Sequence, residues 1–179
     1  MHPRPIIEEF DAFLLGRRLE FRAVAIGGAA LNLLGVISRQ TKDCDIVDPV
    51  IPSPISLAAI EFAALLRQRG EMLADDWLNN GPRSLLSVLP AGWDLRIQPL
   101  FVGRALVLDV LGREDLLKSK VFALCDRGID LQDCVALAPA ADELRALLAW
   151  LASQDANPDW PMHVRATLDD LARRLGHGL

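Results

Sequence analysis

The sequence predicts an α/β (α+β) fold: a small mixed sheet with flanking helices, followed by a helical C-terminal subdomain. Three observations support this. Short apolar segments at 22–27, 43–47 and 104–111 have the length and composition of strands. Helical periodicity separates the first two segments, and it recurs throughout the C-terminal third. We expect a core at 1–111 and a helical subdomain at 112–179, unless the two form one compact domain.

The elements of the first half follow from periodicity and from residues that start or stop helices and strands. The predicted elements are a helix at 5–18, a strand at 22–27, a helix at 29–37, a strand at 43–47 and a helix at 53–70. Pro49 stops the second strand. Ser53 can cap the long helix and Gly70 can close it. The first half is therefore predicted as αβαβα.

The second half begins less clearly and ends in helices. Residues 93–101 alternate well enough for a strand, which Pro99 would shorten or place at a sheet edge. The strand at 104–111 is clearer, and the helix at 113–127 follows it. Three further helical segments complete the chain. The prediction is one or two strands and then four helices.

Composition limits the function classes. Of 179 residues, 51% are hydrophobic, so the chain can bury a substantial core. The net charge of -5 argues against a protein that coats long nucleic acid. Three cysteines without a CxxC motif suit a reducing compartment better than a disulfide scaffold or a zinc site. With neither a signal-peptide pattern nor an apolar stretch long enough to span a bilayer, we expect a soluble, cytoplasmic protein that does not enter the membrane.

The stretch "AIGGAALNLLGVISRQTKDCDIV" (25–47) carries the first candidate site. Gly27 and Gly28 stand between a strand and a helix, where backbone N–H groups can face an anion and a β-carbon would keep phosphate away. The alternative is an ordinary tight turn. No Walker loop and no dinucleotide fingerprint is present.

Two carboxylates follow on the next predicted strand. Asp43 and Asp45 are two apart, so in a strand they point to the same side, while Cys44 and Ile46 face the core. Such a pair can bind Mg²⁺, with further oxygen ligands from substrate phosphates. The alternative is a solvated acidic strand end.

The segment "GGAALNLLGVISRQTKDCDI" resembles the signature of the DNA polymerase beta-like nucleotidyltransferase superfamily. Its form is most similar to the AbiEii-like branch, which contains toxin components of toxin–antitoxin systems. The resemblance implies a nucleotidyltransferase-type sheet, a triphosphate bound at Gly27 and Gly28, and Mg²⁺ or Mn²⁺ bound at Asp43 and Asp45. Thr41 and Lys42 also match the branch pattern, as nucleotide-binding residues or as residues that hold the loop.

A second block, "DLLKSKVFALCDRGIDLQDCVAL" (115–137), resembles the same branch. Its matching positions are Leu116, Leu117, Lys120, Ala123, Arg127, Asp130 and Asp133. Lys120 and Arg127 are seven apart, so both can lie on one helix face and meet triphosphate, and Asp133 can orient either of them. The resemblance implies catalytic roles for Lys120 and Asp133 and nucleotide binding by Arg127 and Asp130. The alternative is a surface salt-bridge network, and Ile129 stands where the branch usually has lysine.

The superfamily normally supplies a third metal-binding carboxylate from a neighbouring strand. Asp94 and Asp109 are the candidates here, and Asp94 completes the predicted metal set with Asp43 and Asp45. We further expect Lys120 to lie within reach of Asp43 and Asp45, directly or through one bridging group.

Two functional hypotheses follow. The first is a Mg²⁺-dependent enzyme that moves an NMP group from an NTP to a tRNA end or a protein side chain. The resemblance implies that such an enzyme would be the toxin of a pair with a cognate antitoxin protein. The second is a catalytically silent nucleotidyltransferase-like domain that acts by binding.

Overall fold

The computed structural model describes residues 1–178. The chain divides into two compact units, Met1–Gly112 and the part that begins at Arg113. Among the described residues, no helix combines the length and the apolar character needed to cross a membrane.

The first unit contains three helices and a five-stranded sheet. Its elements are α1 (Pro3–Gly16), β1 (Phe21–Ile26), α2 (Gly27–Leu33), β2 (Cys44–Asp48), α3 (Ser53–Gln68), β3 (Leu78–Asn79), β4 (Gln98–Val102) and β5 (Leu106–Val110). Two 3-10 turns, Gly81–Ser87 and Trp93–Leu95, lie between β3 and β4. The second unit contains α4 (Arg113–Arg127), α5 (Leu131–Ala136), α6 (Ala141–Ala152) and α7 (Trp160–Arg174).

The sheet is mixed, with strand order β3-β2-β1-β5-β4. The central strand β1 pairs antiparallel with β2 and parallel with β5. On the outside, β2 pairs parallel with β3, and β4 pairs antiparallel with β5. The predicted fold class, a mixed sheet with flanking helices, is confirmed.

One face of the sheet packs against a helical layer. Ala25, Ile46 and Leu108 point to this face and are fully buried. In the helical layer, the Phe10 ring of α1 lies edge-on to Trp77 with centroids 5.0 Å apart. The indole Nε1–H of Trp77 donates a 3.1 Å hydrogen bond to a carbonyl of α3, so the buried tryptophan has its polar group satisfied.

The structure differs from the sequence prediction in the strand expected at 93–101. The strand begins only at Gln98, and a 3-10 turn occupies Trp93–Leu95. Gly92, with φ +75°, precedes that turn in the left-handed region. Within the turn, the Leu95 N–H donates a 3.1 Å hydrogen bond to the Gly92 carbonyl and the Arg96 N–H a 3.0 Å hydrogen bond to the Trp93 carbonyl, so local hydrogen bonds replace strand pairing here. Pro99 lies in β4 at the edge of the sheet, as its missing N–H requires.

The second unit is helical throughout. On α6, Leu144, Leu147 and Leu151 are buried. On α7, Val164 and Leu168 are buried at helical spacing. These two helices pack on each other through their apolar stripes and form the core of the unit.

Candidate functional site

The candidate site of the first unit begins where β1 ends at Gly27. Gly27 has φ +75°, a conformation that side-chain-bearing residues rarely adopt. A β-carbon at position 27 would overlap the Oδ2 atom of Asp45. Both the backbone geometry and the closeness of this carboxylate therefore require glycine. The predicted helix at 29–37 in fact begins at the glycine pair itself and ends at Leu33.

Burial alternates between Asp43 and Asp45 and their neighbours, as predicted. Cys44 and Ile46 are completely buried, whereas Asp43 and Asp45 are half-buried. The strand begins at Cys44, one residue later than predicted. Asp45 pairs with Ile26 on β1 and with a residue of β3, so β2 is held from both sides.

The thiol between the two carboxylates is a core group. Burial raises the pKa of Cys44 to about 12, and the negative charges of Asp45 and Asp43 raise it further in the same direction. A thiol with this pKa remains protonated at neutral pH and is a poor nucleophile. Cys44 therefore anchors the strand rather than taking part in chemistry.

A β-bulge adds a carboxylate that the two-residue period did not predict. Ile26 is opposite Asp45 and Val24 is opposite Asp48, so two steps on β1 match three on β2. The extra residue is Val47, and it brings Asp48 to the same side of the sheet as Asp45. The guanidinium Nη1 of Arg83 lies 3.7 Å from Asp48 Oδ1.

Asp109, the alternative third carboxylate, is engaged in a different interaction. It lies on β5, is 3% exposed, and accepts a 2.9 Å hydrogen bond from Arg22 Nε. Arg22 Nη2 lies 2.9 Å from the same oxygen. Val24 is the neighbour of both Asp109 and Asp48, so two strand spacings, about 10 Å, separate their α-carbons. The Arg22 guanidinium therefore neutralises the charge of Asp109 on β5.

Asp94 lies in the exposed 3-10 turn that precedes β4. Its metal-binding role stays a prediction. Within residues 1–178, no group of three or more His, Cys, Asp or Glu side chains is placed to hold a metal ion. A divalent ion at Asp43 and Asp45 would therefore complete its coordination with oxygens from substrate phosphates and water, as Mg²⁺ commonly does.

Thr41 closes the other side of the glycine turn. It is 5% exposed, and a β-carbon on Gly28 would lie 3.0 Å from its Cγ2 atom. Its hydroxyl Oγ1 is buried and has no hydrogen-bond partner within the described part of the chain. The backbone N–H of Thr41 donates a 3.0 Å hydrogen bond to the Met1 carbonyl, and the N-terminal ammonium donates to the Thr41 carbonyl. Lys42, the next residue, is exposed.

Arg39 is a residue at this turn that the sequence reasoning missed. Its two terminal guanidinium nitrogens lie 3.6 and 3.7 Å from the position of a β-carbon on Gly28. Its backbone carbonyl accepts a 3.0 Å hydrogen bond from the side-chain amide of Asn32 on α2. The only sequence signal was its position two residues before Thr41, within "SRQTK".

The charged block of the second unit forms a compact ion cluster. Lys120 Nζ lies 2.8 Å from Asp133 Oδ2 and 3.1 Å from Asp130 Oδ2. The lysine side chain is 7% exposed and that of Asp133 is 2% exposed. Asp130 has φ +69°, so a left-handed residue at the start of α5 turns its carboxylate towards the lysine. Arg127 is exposed, 3.7 Å from Asp126.

The structure thus gathers the predicted residues in two places. Gly27, Gly28, Thr41 and Asp45 surround the end of β1 in the first unit. Lys120, Asp130 and Asp133 meet in the second. Asp133 accepts a 2.8 Å hydrogen bond from Lys120 Nζ, and its role in orienting the cations of this block stays a prediction. The reach of Lys120 to the aspartates of β2 stays a prediction.

Comparison with known proteins identifies a family. A family model described as nucleotidyltransferase of unknown function (DUF6036) matches residues 4–139, more than half of the chain. No curated protein and no solved structure matches the chain significantly.

Proposed function

Because the chain belongs to this family of nucleotidyltransferases of unknown function, we propose that it is a Mg²⁺-dependent enzyme that transfers an NMP group from an NTP to an RNA or protein acceptor. One observation carries the proposal. The Thr41 side chain, with its methyl group against Gly28, and the carboxylate of Asp45, against Gly27, lie at one glycine turn, and the buried Thr41 hydroxyl has no hydrogen-bond partner within residues 1–178. An anion-binding group and a metal-binding group at the same turn are what a bound metal–triphosphate needs.

Each residue of the turn has a role in the proposal. Asp43 and Asp45 would hold Mg²⁺ or Mn²⁺, and the ion would supply positive charge to the phosphate oxygens and the leaving pyrophosphate. Gly27 and Gly28 let the backbone approach the β- and γ-phosphates. The Thr41 hydroxyl donates to a phosphate oxygen and so gains the partner it lacks within residues 1–178. Lys42, exposed beside it, adds positive charge.

The proposed reaction is a displacement at the α-phosphorus. An acceptor oxygen forms a bond to this phosphorus, the bond to the β-phosphate oxygen breaks, and pyrophosphate leaves. The acceptor hydroxyl loses its proton in the same step. No oxidant or reductant is required.

In the charged block of the second unit, the proposal assigns a positioning role to the two aspartates. Asp130 and Asp133 hold the Lys120 ammonium in one orientation. Because two carboxylates surround one ammonium, Lys120 supplies no excess positive charge while it stays in this cluster. Arg127 is exposed, and nucleotide binding by this residue is proposed from the resemblance alone.

The finer biological role rests on the resemblance of residues 25–47 and 113–137 to the AbiEii-like branch. On that basis we propose that the protein is the toxin of a toxin–antitoxin pair, with a tRNA or a protein as acceptor and a cognate antitoxin protein as partner.

A second candidate function is a silent nucleotidyltransferase-like domain that acts by binding. The observation in its favour is the bond between Arg22 and Asp109. This bond pairs Asp109, the buried candidate for the third metal-binding carboxylate, with a cation.

A label-transfer experiment separates the two functions. The full chain is incubated with each α-³²P-labelled NTP, Mg²⁺ or Mn²⁺, total RNA and total protein. Asp45→Asn is compared with Asp76→Asn, a matched change at an exposed aspartate of the same unit. Label in RNA or protein that Asp45→Asn abolishes and Asp76→Asn preserves supports the enzyme. Binding of NTP without transfer by the wild type supports the silent domain and contradicts the enzyme.

A further inference from the structure

We propose that Arg39 binds the polyphosphate tail of the nucleotide and thereby makes the site prefer a triphosphate. This inference rests on the proposed function and adds to it a residue that neither the sequence motifs nor the family description assigns. It starts from the position of the Arg39 side chain beside Gly28.

The geometry places the guanidinium across the glycine turn. Both terminal nitrogens of Arg39 lie at nearly equal distances, 3.6 and 3.7 Å, from the position that a β-carbon of Gly28 would take. The two terminal nitrogens of the guanidinium therefore both face the turn. This is the presentation in which a guanidinium can donate two parallel hydrogen bonds to phosphate oxygens.

The backbone of this segment is held in place, which suits a binding residue. The Asn32 amide on α2 holds the Arg39 carbonyl at 3.0 Å. Two residues later, hydrogen bonds to Met1 hold the backbone of Thr41 on both its N–H and its carbonyl. Little backbone entropy remains to be lost when a ligand binds here.

Side chains of opposite charge lie beside the two glycines of the turn. The Asp45 carboxylate lies against Gly27, and the Arg39 guanidinium lies beside Gly28. A metal–triphosphate carries a cation at one end of its phosphate chain and uncompensated negative charge at the other. At the turn, the Asp45 carboxylate can bind the cation, and the Arg39 guanidinium can bind the phosphate oxygens that carry the uncompensated negative charge. The Thr41 methyl group lies next to Gly28 as well; the residue is 5% exposed, and its buried hydroxyl has no partner in residues 1–178.

Arg39 places a guanidinium at the glycine turn itself. The Arg39 guanidinium lies beside the residues that the proposed function assigns to the phosphates.

Calorimetric titration of the full chain tests the assignment. The probes are magnesium tripolyphosphate, which needs no knowledge of the base, and magnesium orthophosphate, together with the four NTPs. The variants are Arg39→Ala, Arg39→Lys and the matched control Arg104→Ala. Arg104 is exposed in the β4–β5 turn, at the end of the sheet opposite Gly27, because β5 runs parallel to β1.

The expected result is that Arg39→Ala weakens tripolyphosphate and NTP binding by about 10- to 100-fold, the loss of a charge-assisted bidentate contact. Arg39→Lys keeps the positive charge but not the two parallel donors, so it should lose less affinity than Arg39→Ala. Orthophosphate affinity changes little in any variant, and Arg104→Ala behaves as the wild type. The thermal midpoint of each ligand-free variant is measured against that of the wild type. If Arg39→Ala lowers that midpoint, Arg39→Gln, which retains the aliphatic stem, is used for the comparison.

Two outcomes contradict the inference in different ways. If the wild type binds triphosphates and the Arg39 variants bind them equally well, Arg39 has no such role and the proposed function stands. If the wild type binds neither tripolyphosphate nor any NTP, the proposed function fails, and this inference fails with it.

Discussion

The carboxylate of Asp45 lies so close to the α-carbon of Gly27 that no side chain fits between them. Gly27 ends β1 and Asp45 lies on the neighbouring strand β2, so the strand pairing of Ile26 with Asp45 creates this contact. The glycine turn and the acidic strand are therefore one structural unit. Altering either residue should affect the other.

Gly27→Ala should abolish nucleotidyl transfer at a modest cost in stability. The left-handed φ costs about 1–2 kcal/mol for alanine. The overlap falls on the end of the Asp45 side chain, which can rotate away, so it moves the carboxylate rather than unfolding the protein. The measurements are urea unfolding and label transfer.

Gly35→Ala is the matched control for this change. Gly35 also has φ +75°, but no atom lies within 4 Å of its missing β-carbon. It should lose a similar free energy of unfolding and keep its transfer activity. Equal activity of the two variants would show that the position of the Asp45 carboxylate is irrelevant.

Lys120→Met should destabilise the second unit by about 3–5 kcal/mol, because it leaves Asp130 and the buried Asp133 without their shared cation. The control is Lys118→Met, which removes an ion pair with the exposed Glu114 and should cost about 0–1 kcal/mol. Chemical unfolding of both variants provides the comparison. A Lys120→Met variant as stable as Lys118→Met would show that the ion cluster does not hold α4 and α5 together.

Asp109→Asn should leave transfer activity within a few-fold of the wild type. Arg22 neutralises Asp109, and β1 separates it from β2, so the account gives it no metal-binding role. Loss of the charged hydrogen bond should cost about 1–3 kcal/mol of stability. A collapse of activity with intact folding would instead identify Asp109 as the third metal ligand.

The free energy of unfolding should fall as the pH rises above 9. Burial raises the pKa of Cys44 to about 12, of Cys125 to about 11 and of Cys134 to about 12, from an ordinary value of 9.0. Above pH 9 the unfolded chain releases thiol protons that the folded chain keeps. Unfolding is therefore favoured by up to about 1.4 kcal/mol per pH unit for each thiol. This contribution to stability is intact below pH 9.

Urea unfolding at pH 8 and pH 10 measures the decline. The chain has no tyrosine to titrate in the same range. A Cys125→Ala variant should show a shallower decline than the wild type. An identical pH dependence of the two proteins would exclude the buried thiols as its cause.

Local patterns in the sequence were enough to predict the central part of the fold and site. The run of a buried strand, two glycines, a helix and an alternating D-x-D strand depends on neighbouring residues only, and the structure has all four elements. The burial of Cys44 and Ile46 against the half-exposure of Asp43 and Asp45 follows from the two-residue period of a strand.

The features that the sequence missed depend on contacts between distant segments. The bulge at Val47 arises only when β2 pairs with β1, so the position of Asp48 could not follow from spacing. Arg39 lies in a loop whose path is set by Asn32 and Met1. By contrast, the expected strand at 93–101 is shortened by local hydrogen bonds, those of the 3-10 turn at Trp93–Leu95.

The most direct test of the account is a crystal structure of the full chain with Mn²⁺ and a non-hydrolysable NTP analogue, phased to show the anomalous signal of the metal. The account predicts a manganese peak about 2.1 Å from carboxylate oxygens of Asp43 and Asp45, with the triphosphate beside Gly28, Thr41 and Arg39. A triphosphate bound elsewhere, or a crystal saturated with both ligands that shows no metal at these two aspartates, would contradict it.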